Sequence, residues 1–320
     1  MNCIQYFPSR ILMRPFKHWA RITLVLWCGL VIVLPAATSL GQSNPVNPPF
    51  SITFQSFDYP GASTTTASGI NNGNIIVGDY TDSSGKMHGY LRNFSGGYMT
   101  VDYPGAASTS LWAVNDNNHA VGYYTDSAGN FHGFFFALPG SFTPIDYPGS
   151  VFTIAYGINN SDQIVGTWAD SAGNQSGFFL VNGTSFSSLS YPGAAATVAS
   201  GINSSGVICG EYFDSGGLAH GFGLTRAQNG TYTTVDVPGA AQSGLDKLND
   251  KLQVGGYTAD SNGNLSGMAG VPLNHQFVAV NYPTSTATIV RGINNQPVIV
   301  GHYTDSAGKR HGFYAVQGAN

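Results

Sequence analysis

The sequence predicts an all-β fold, a six-bladed β-propeller of four-stranded antiparallel blades closed into a ring by its N-terminal strand. Three observations predict it. A unit of about 44 residues recurs six times; each of the first five copies carries four short strand-like segments; and the last copy lacks a fourth strand, which the N-terminus is placed to supply.

The repeat is read from its landmarks. The phrase Asp-Tyr-Pro-Gly or a close variant sets an aromatic at Tyr59, Tyr103, Tyr147 and Tyr191, with Val237 and Tyr282 at the same place in the last two copies. Successive steps are 44, 44, 44, 46 and 45 residues. Twelve residues after each of these positions stands an asparagine: Asn71, Asn115, Asn159, Asn203, Asn249 and Asn294. Glycines follow at Gly78, Gly122, Gly166, Gly210, Gly255 and Gly301, so copy five reads as losing one residue before its glycine and gaining one after it. A turn then starts at Asp82, Asp126, Asp170, Asp214, Asp260 and Asp305. Six residues on comes His88, His132, His220 or His311, with Ser176 and Ser266 in copies three and five, and a glycine follows each.

The segments Thr65–Asn71, Ile75–Thr81, Met87–Asn93 and Tyr98–Tyr103 are rich in β-branched and aromatic residues, as strands are, and no copy shows a helical apolar stripe. Asn71–Asn74 and Asp82–Gly85 are hairpin connections, because Asn and Gly accept the positive φ that tight turns need. Proline after the aromatic ends the fourth strand, where its missing N–H costs no ladder bond. A period of this length with four strands matches a propeller blade; a parallel β-helix needs a shorter coil, and an open solenoid needs capping segments. The last copy ends with its third strand, His311–Val316, and Ser51–Tyr59 is an extra strand of the fourth type before the first copy. Pairing the two leaves no open edge.

Residues 1–41 read as a secretory signal peptide. Arg10, Arg14, Lys17 and Arg21 precede the apolar run Ile22–Leu34, Pro35 breaks it, and small residues lead to cleavage near Gly41–Gln42. Thirteen apolar residues make about 20 Å of helix, short of the roughly 30 Å hydrocarbon core, so the mature chain is expected without a membrane span, a retained anchor being the alternative. Residues 42–50 are a Pro/Asn-rich linker, and 51–320 a single propeller domain. Cys3 and Cys28 leave with the signal, so Cys209 stands alone, read as a small buried residue of a strand and not as a reactive thiol. Export places the protein outside the cytoplasm, secreted or at the cell surface or periplasm.

Charged residues are 9% of the chain, against roughly 25% in a typical soluble protein, which excludes a coiled coil or a charge-rich disordered chain. Past residue 41 only 8 bases face 16 acids, so there is no basic patch to neutralise phosphates and nucleic acid is excluded as a partner.

The consensus GINNxGxIVGxYxDSxGxxHGF resembles the bacterial extracellular repeats named HAF after their His-Ala-Phe core. Here glycine holds the middle place, in His88-Gly89-Tyr90, His132-Gly133-Phe134, His220-Gly221-Phe222 and His311-Gly312-Phe313, while Ser176-Gly177-Phe178 and Ser266-Gly267-Met268 depart further. The match covers about residues 51–316. The resemblance implies an exported, propeller-like protein with no established activity, and it carries no catalytic residues over.

Each Asp–His pair of the repeat is too small a set for zinc or calcium and is separated from its copies around the ring, so it is read as stabilising its blade through an Asp–His or His–backbone hydrogen bond. No catalytic residues, no metal and no cofactor are expected. Glu211 is the lone glutamate, and the non-repeat acids Asp79, Asp116, Asp162, Glu211, Asp246 and Asp250 are not converged by anything in the sequence. Positions that differ between copies point to function instead. The residue before each Gly-Ile-Asn-like triplet is Ser68, Trp112, Tyr156, Ser200, Asp246 or Arg291. If this strand is innermost, two aromatics, an acid, a base and two hydroxyls approach the central channel, which suits a polar molecule or a glycan; as a plainer alternative they fill gaps between blades. The leading expectation is therefore a secreted, non-enzymatic binding or surface-interaction propeller gripping a polar ligand, glycan or envelope partner at the channel mouth. The alternatives are an extracellular carbohydrate-acting hydrolase or lyase, for which catalysis stays open, and a purely structural extracellular repeat protein.

Overall fold

The structure, a computed structural model, describes residues 52–138, 140–225, 230–296 and 298–317. The expected signal segment, its cleavage point near Gly41, the 42–50 linker and Ser51 lie outside the described residues.

β-Branched and aromatic runs between Asn-Gly and Asp-Ser-x-Gly turns fold as antiparallel strands, because the turns supply positive φ where the chain reverses, at Asn74 (59°) and Gly85 (88°) in the first repeat. That repeat forms a sheet of Thr64–Ile70, Ile76–Thr81, Met87–Arg92 and Tyr98–Val101, paired in chain order. The second and fifth repeats do the same, and the sheets of the third and fourth are linked by one parallel pairing, Gln175 with Ala196. The architecture is an all-β propeller of four-stranded antiparallel blades. In the last repeat, Ala287–Ile293, Val298–Thr304 and Arg310–Gln317 are joined by Ile52–Phe57, antiparallel, with Ile52 opposite Gln317 and Phe57 opposite Gly312.

The core lies between sheets. One cluster packs Val77, Leu91 and Val101 of the first repeat on Leu111, Phe134 and Phe136 of the second; another packs Phe57, Val298 and Val300 on Ala67, Ile76 and Tyr90. Cys209 is 2% exposed, and burial pushes its thiol up to about 12, so it is an inert core residue.

Each first strand breaks register at one place. Ala67 and Gly69 face Gly78 and Val77, consecutive residues of the second strand, so Ser68 is extra, a β-bulge. The opposing glycine is obligatory, since a Cβ on Gly78 would stand 2.0 Å from the Thr66 carbonyl oxygen. In the fifth repeat the glycine in this register is Gly256, opposite Leu245, with its Cβ position 2.0 Å from the Gly244 oxygen. Gly255 is therefore not the equivalent, and the copy-five irregularity expected from the sequence does not exist.

Removing residues 42–60 strips Arg310–Gln317 of its edge partner and takes Phe57 from the core. The expected outcome is a large drop in melting temperature with aggregation; a melt within about 2 °C of the longer chain, worth no more than about 1 kcal/mol, contradicts it.

Candidate functional site

The bulge recurs at Trp112, Tyr156, Ser200, Asp246 and Arg291, so all six variable positions named from the sequence are the extra residue of their strand. A bulge residue sits outside the ladder and is re-aimed by the local kink, which frees it from the alternation of the blade. Four of the six come together. Arg291 Nη1 donates to Asp246 Oδ1 at 2.7 Å, its guanidinium lies over the Trp112 ring at 5.2 Å, and Trp112 meets Tyr156 edge to face at 4.6 Å. Ser68 and Ser200 are buried at the same register and outside this contact chain. The cluster is largely enclosed: Tyr156 is 4% and Asp246 6% exposed. Buried beside it, Trp112 Nε1 and Asp246 Oδ2 have no hydrogen-bond partner.

A second variable set, one residue past the obligatory glycine, completes the interior: Asp79, Tyr123, Thr167, Glu211, Tyr257 and His302. Ser110 donates to Asp79 at 3.0 Å, and the Tyr257 hydroxyl donates to Glu211 Oε2 at 2.7 Å. Burial pushes the Glu211 carboxyl up to about 7, with the charge of Asp246 adding to it and the Tyr257 bond opposing. Burial likewise raises Asp79 and holds His302 in its neutral form. Lys247 occupies a place where four repeats have glycine; its Nζ donates to the Ser200 carbonyl at 2.9 Å, and burial lowers it to about 8. The sequence reading named Asp79 and Glu211 only as non-repeat acids and passed over the rest, although the rule that selected Trp112 and Arg291, variation at one repeat position, also selects Glu211, Tyr257 and Lys247.

Above this layer the strands end in two belts. Each triplet asparagine donates through Nδ2 to the backbone oxygen of its counterpart in the next repeat, from Asn71 to Asn115 and onward, until Asn294 donates to Asn71, at 2.9 to 3.4 Å. Its Oδ1 accepts the N–H four residues on, as from Ile75 to Asn71. The next residue forms an outer belt in which Asp116 accepts from Asn72 and Asn160, and Asp250 from Ser204 and Asn295. These side chains line a polar cup with about 80 Å³ open to the centres of water molecules. The belts line the cup, and the variable residues sit on the same strands three residues before each asparagine, with Tyr156 and Asp246 buried and Trp112 and Arg291 half-buried.

The repeated histidines lie at the Asp-Ser-x-Gly turns, at the other end of the strands. His88 Nδ1 lies 2.8 Å from Asp102, the aspartate of the Asp-Tyr-Pro phrase, and Nε2 3.4 Å from Asp82. The shorter partner is the one the sequence reading did not choose. The signal for it was internal: His132 pairs with Asp146, His220 with Asp236 and His311 with Asp58, whereas Ser176 pairs with Ser190 and Ser266 with Asn281. Asp82 also caps its own turn, accepting from Ser84 and Lys86, and the Ser84 hydroxyl foremost holds its carboxyl down at about 2. Among the described residues no three His, Cys, Asp or Glu side chains are grouped to hold a metal ion, and no helix is long and apolar enough to cross a membrane.

No family model matches the chain, and no curated protein matches it. Solved structures do. A putative TolB from Agrobacterium tumefaciens aligns over 80% of this chain and 90% of its own at 8% identity and a TM-score of 0.55. The fold is a propeller. TolB from Acinetobacter baumannii is similar over 81% of this chain at 9% identity and a TM-score of 0.51, and the match spans 66% of that protein, under two thirds of its length. The SapL1 lectin, solved with alpha methyl fucoside, is similar over 79% of this chain and 93% of its own, at 13% identity and a TM-score of 0.51.

Two outcomes follow from the geometry. Glu211, raised from 4.5 to about 7 on folding, favours the native state fully below pH 4.5 and loses that contribution as pH climbs through about 7. Glu211→Gln keeps an acceptor for Tyr257 and takes up no charge, so it should melt higher than the parent near pH 8 and alongside it near pH 5. In the repeat, His88→Ser alone leaves Asp102 without its partner; adding Asp102→Ser reproduces the Ser176–Ser190 pair of the third repeat. Melting of both single variants and the double should give a favourable coupling of roughly 0.5–3 kcal/mol.

Proposed function

We propose that this chain is an exported, non-enzymatic binding propeller of the HAF-repeat kind. In this reading the N-terminal signal is cleaved near Gly41, and the six repeats make a closed six-bladed ring whose last blade is completed by Ile52–Phe57. Two features support closure: the six-pair register of that strand on Arg310–Gln317, and the return of the asparagine belt from Asn294 to Asn71. The protein grips a polar molecule, a glycan or envelope component, through the cup and the layer beneath it. The SapL1 lectin, of similar architecture and solved with alpha methyl fucoside, supports a saccharide as the ligand. A periplasmic or extracellular location follows from the expected export signal of residues 1–41.

One observation carries the reading. At a single repeat position that the bulge releases from strand pairing, six side chains of five kinds stand, four of them are in contact, and a buried donor and a buried acceptor are left open. A layer serving only to fill space has no need of an ion pair, and a buried pair is not a gain over well-packed apolar residues.

The test is a glycan array followed by variants. For any saccharide found, Trp112→Ala should cost roughly 1–3 kcal/mol of affinity, while His88→Ala and His132→Ala leave affinity intact and lower the melting temperature. Binding lost in the histidine variants and kept in Trp112→Ala moves the site to the hairpins and overturns the assignment. A second reading, a carbohydrate-acting hydrolase or lyase, rests on Glu211, which burial raises to about 7, so that it shares its proton with solvent near neutral pH within reach of the Asp246 charge. It requires turnover of a bound glycan that Glu211→Gln abolishes. Failure of every saccharide to bind leaves a purely structural protein.

A further inference from the structure

The polar cup has an apolar floor. Ile70, Val114, Ile158, Ile202, Leu248 and Ile293, each just before a triplet asparagine, line it with the two belts, and each is 6 to 8% exposed. A ring of aliphatic ends inside a wall of amides can take the C–H face of a small ring compound while the wall answers its polar groups. The wall is negative. Asp116 and Asp250 line it from the second and fifth repeats, and among the described residues no lysine, arginine or histidine lines it with them. The lysine and arginine ion pairs of the described residues lie elsewhere, Lys309 with Asp58 and Arg291 with Asp246, so Lys251, next to Asp250 in the chain, pairs with neither carboxylate. His119 is turned to Asp162 at 2.9 Å. Counting Lys251, three acids still face one base at this end of the strands.

The wall also has open valences. Asp116 accepts from Asn72 N–H, Asn72 Nδ2 and Asn160 Nδ2, and Asp250 from Ser204 N–H, Ser204 Oγ and Asn295 Nδ2. A carboxylate offers about four lone-pair sites, so each keeps one for a further donor. Burial works against the charge of Asp250, but the bonds from Asn295 and Ser204 outweigh it and hold the carboxyl below its ordinary value. The outer belt is broken at one joint. The N–H groups of Asn72, Asp116, Ser204, Asp250 and Asn295 each donate to the side-chain oxygen at the same place in the next repeat. After Asn160 that place holds Ser204, whose hydroxyl is one bond shorter and donates to Asp250 at 3.2 Å, so among the described residues the Asn160 N–H has no acceptor.

We infer that the cup binds a small saccharide bearing a free amino group, with its ammonium on the carboxylates of Asp116 and Asp250, a hydroxyl oxygen on the Asn160 N–H and its C–H face on the aliphatic floor. An ammonium brings donors and a positive charge to the two carboxylates, and a sugar hydroxyl brings the acceptor that Asn160 lacks. An acidic sugar of the same shape meets like charge. This rests on the binding reading above and deepens it for the cup by naming one ligand class.

The experiment is calorimetric titration of the mature protein, near pH 6 where an amine is charged, with D-glucosamine, D-glucose, D-glucuronate and ethylamine. Glucosamine should bind about fivefold more tightly than glucose, the worth of one exposed ion pair, and the margin should shrink as salt is raised to ~0.5 M. Glucuronate should bind more weakly than glucose, and ethylamine, a cation without a ring, more weakly than glucosamine. Asp116→Asn with Asp250→Asn installs the residue that Asn72, Asn160 and Asn295 already place in this belt. The double variant should erase the glucosamine margin and leave glucose affinity within about twofold, with the melting temperature recorded alongside. Ser204→Asn gives the Asn160 N–H an acceptor and should weaken glucose and glucosamine alike, about fivefold, as one lost hydrogen bond does. Glucose, glucuronate or ethylamine bound as tightly as glucosamine overturns this inference and leaves the binding reading standing. A margin that survives the double variant, or binding unchanged in Ser204→Asn, also overturns it. Binding of no saccharide, charged or neutral, overturns both.

Discussion

The triplet asparagine is the interaction on which the rest of the structure depends. One side chain meets two demands that a stack of similar sheets cannot meet with apolar contacts alone. Its oxygen closes the turn between first and second strands by accepting an N–H, and its nitrogen reaches the backbone of the next repeat. All six are 3 to 5% exposed, and each would otherwise bury an amide at large cost. Apolar packing between sheets tolerates sliding, whereas this bond fixes how far each sheet stands along the axis relative to its neighbour. The bulge, the variable layer and the cup inherit their alignment from it.

Much of the fold was legible from the sequence, because period, turn chemistry and strand composition all gave the same answer. The landmark spacing located each strand to within a residue or two, and the extra N-terminal strand was visible as an Asp-Tyr-Pro phrase with no sheet of its own. The one misalignment, at Gly255 and Gly256, arose where two glycines stand together. Only the carbonyl facing Gly256 tells them apart, and a backbone contact across strands leaves no local mark.

The site was legible in part. Variation at one position gave the six side chains, and a first strand near the axis gave their convergence. That they make an enclosed layer was not legible, since it depends on side-chain size summed across the axis: the indole of Trp112 and the guanidinium of Arg291 reach over the gap left by Ser68. The histidine partners were written in the chain as an internal correlation. Wherever the histidine becomes serine, the Asp-Tyr-Pro aspartate becomes Ser190 or Asn281. Four to six copies of one structure within a single chain act as a small alignment, and substitutions that travel together within it report contact.

The two ends of the first strands respond differently to changes in repeat number. Every asparagine donates to the backbone oxygen of its counterpart in the next repeat, so the links of the belt share one chemistry. A duplicated unit would slot in without orphaning a donor. The layer below has no such tolerance. Arg291 reaches Asp246 of the fifth repeat on one side and Trp112 of the second on the other, contacts that depend on which repeats stand beside it. A repeat inserted between Trp112 and Arg291 would keep the chemistry of the belt while parting the contacts of the variable layer.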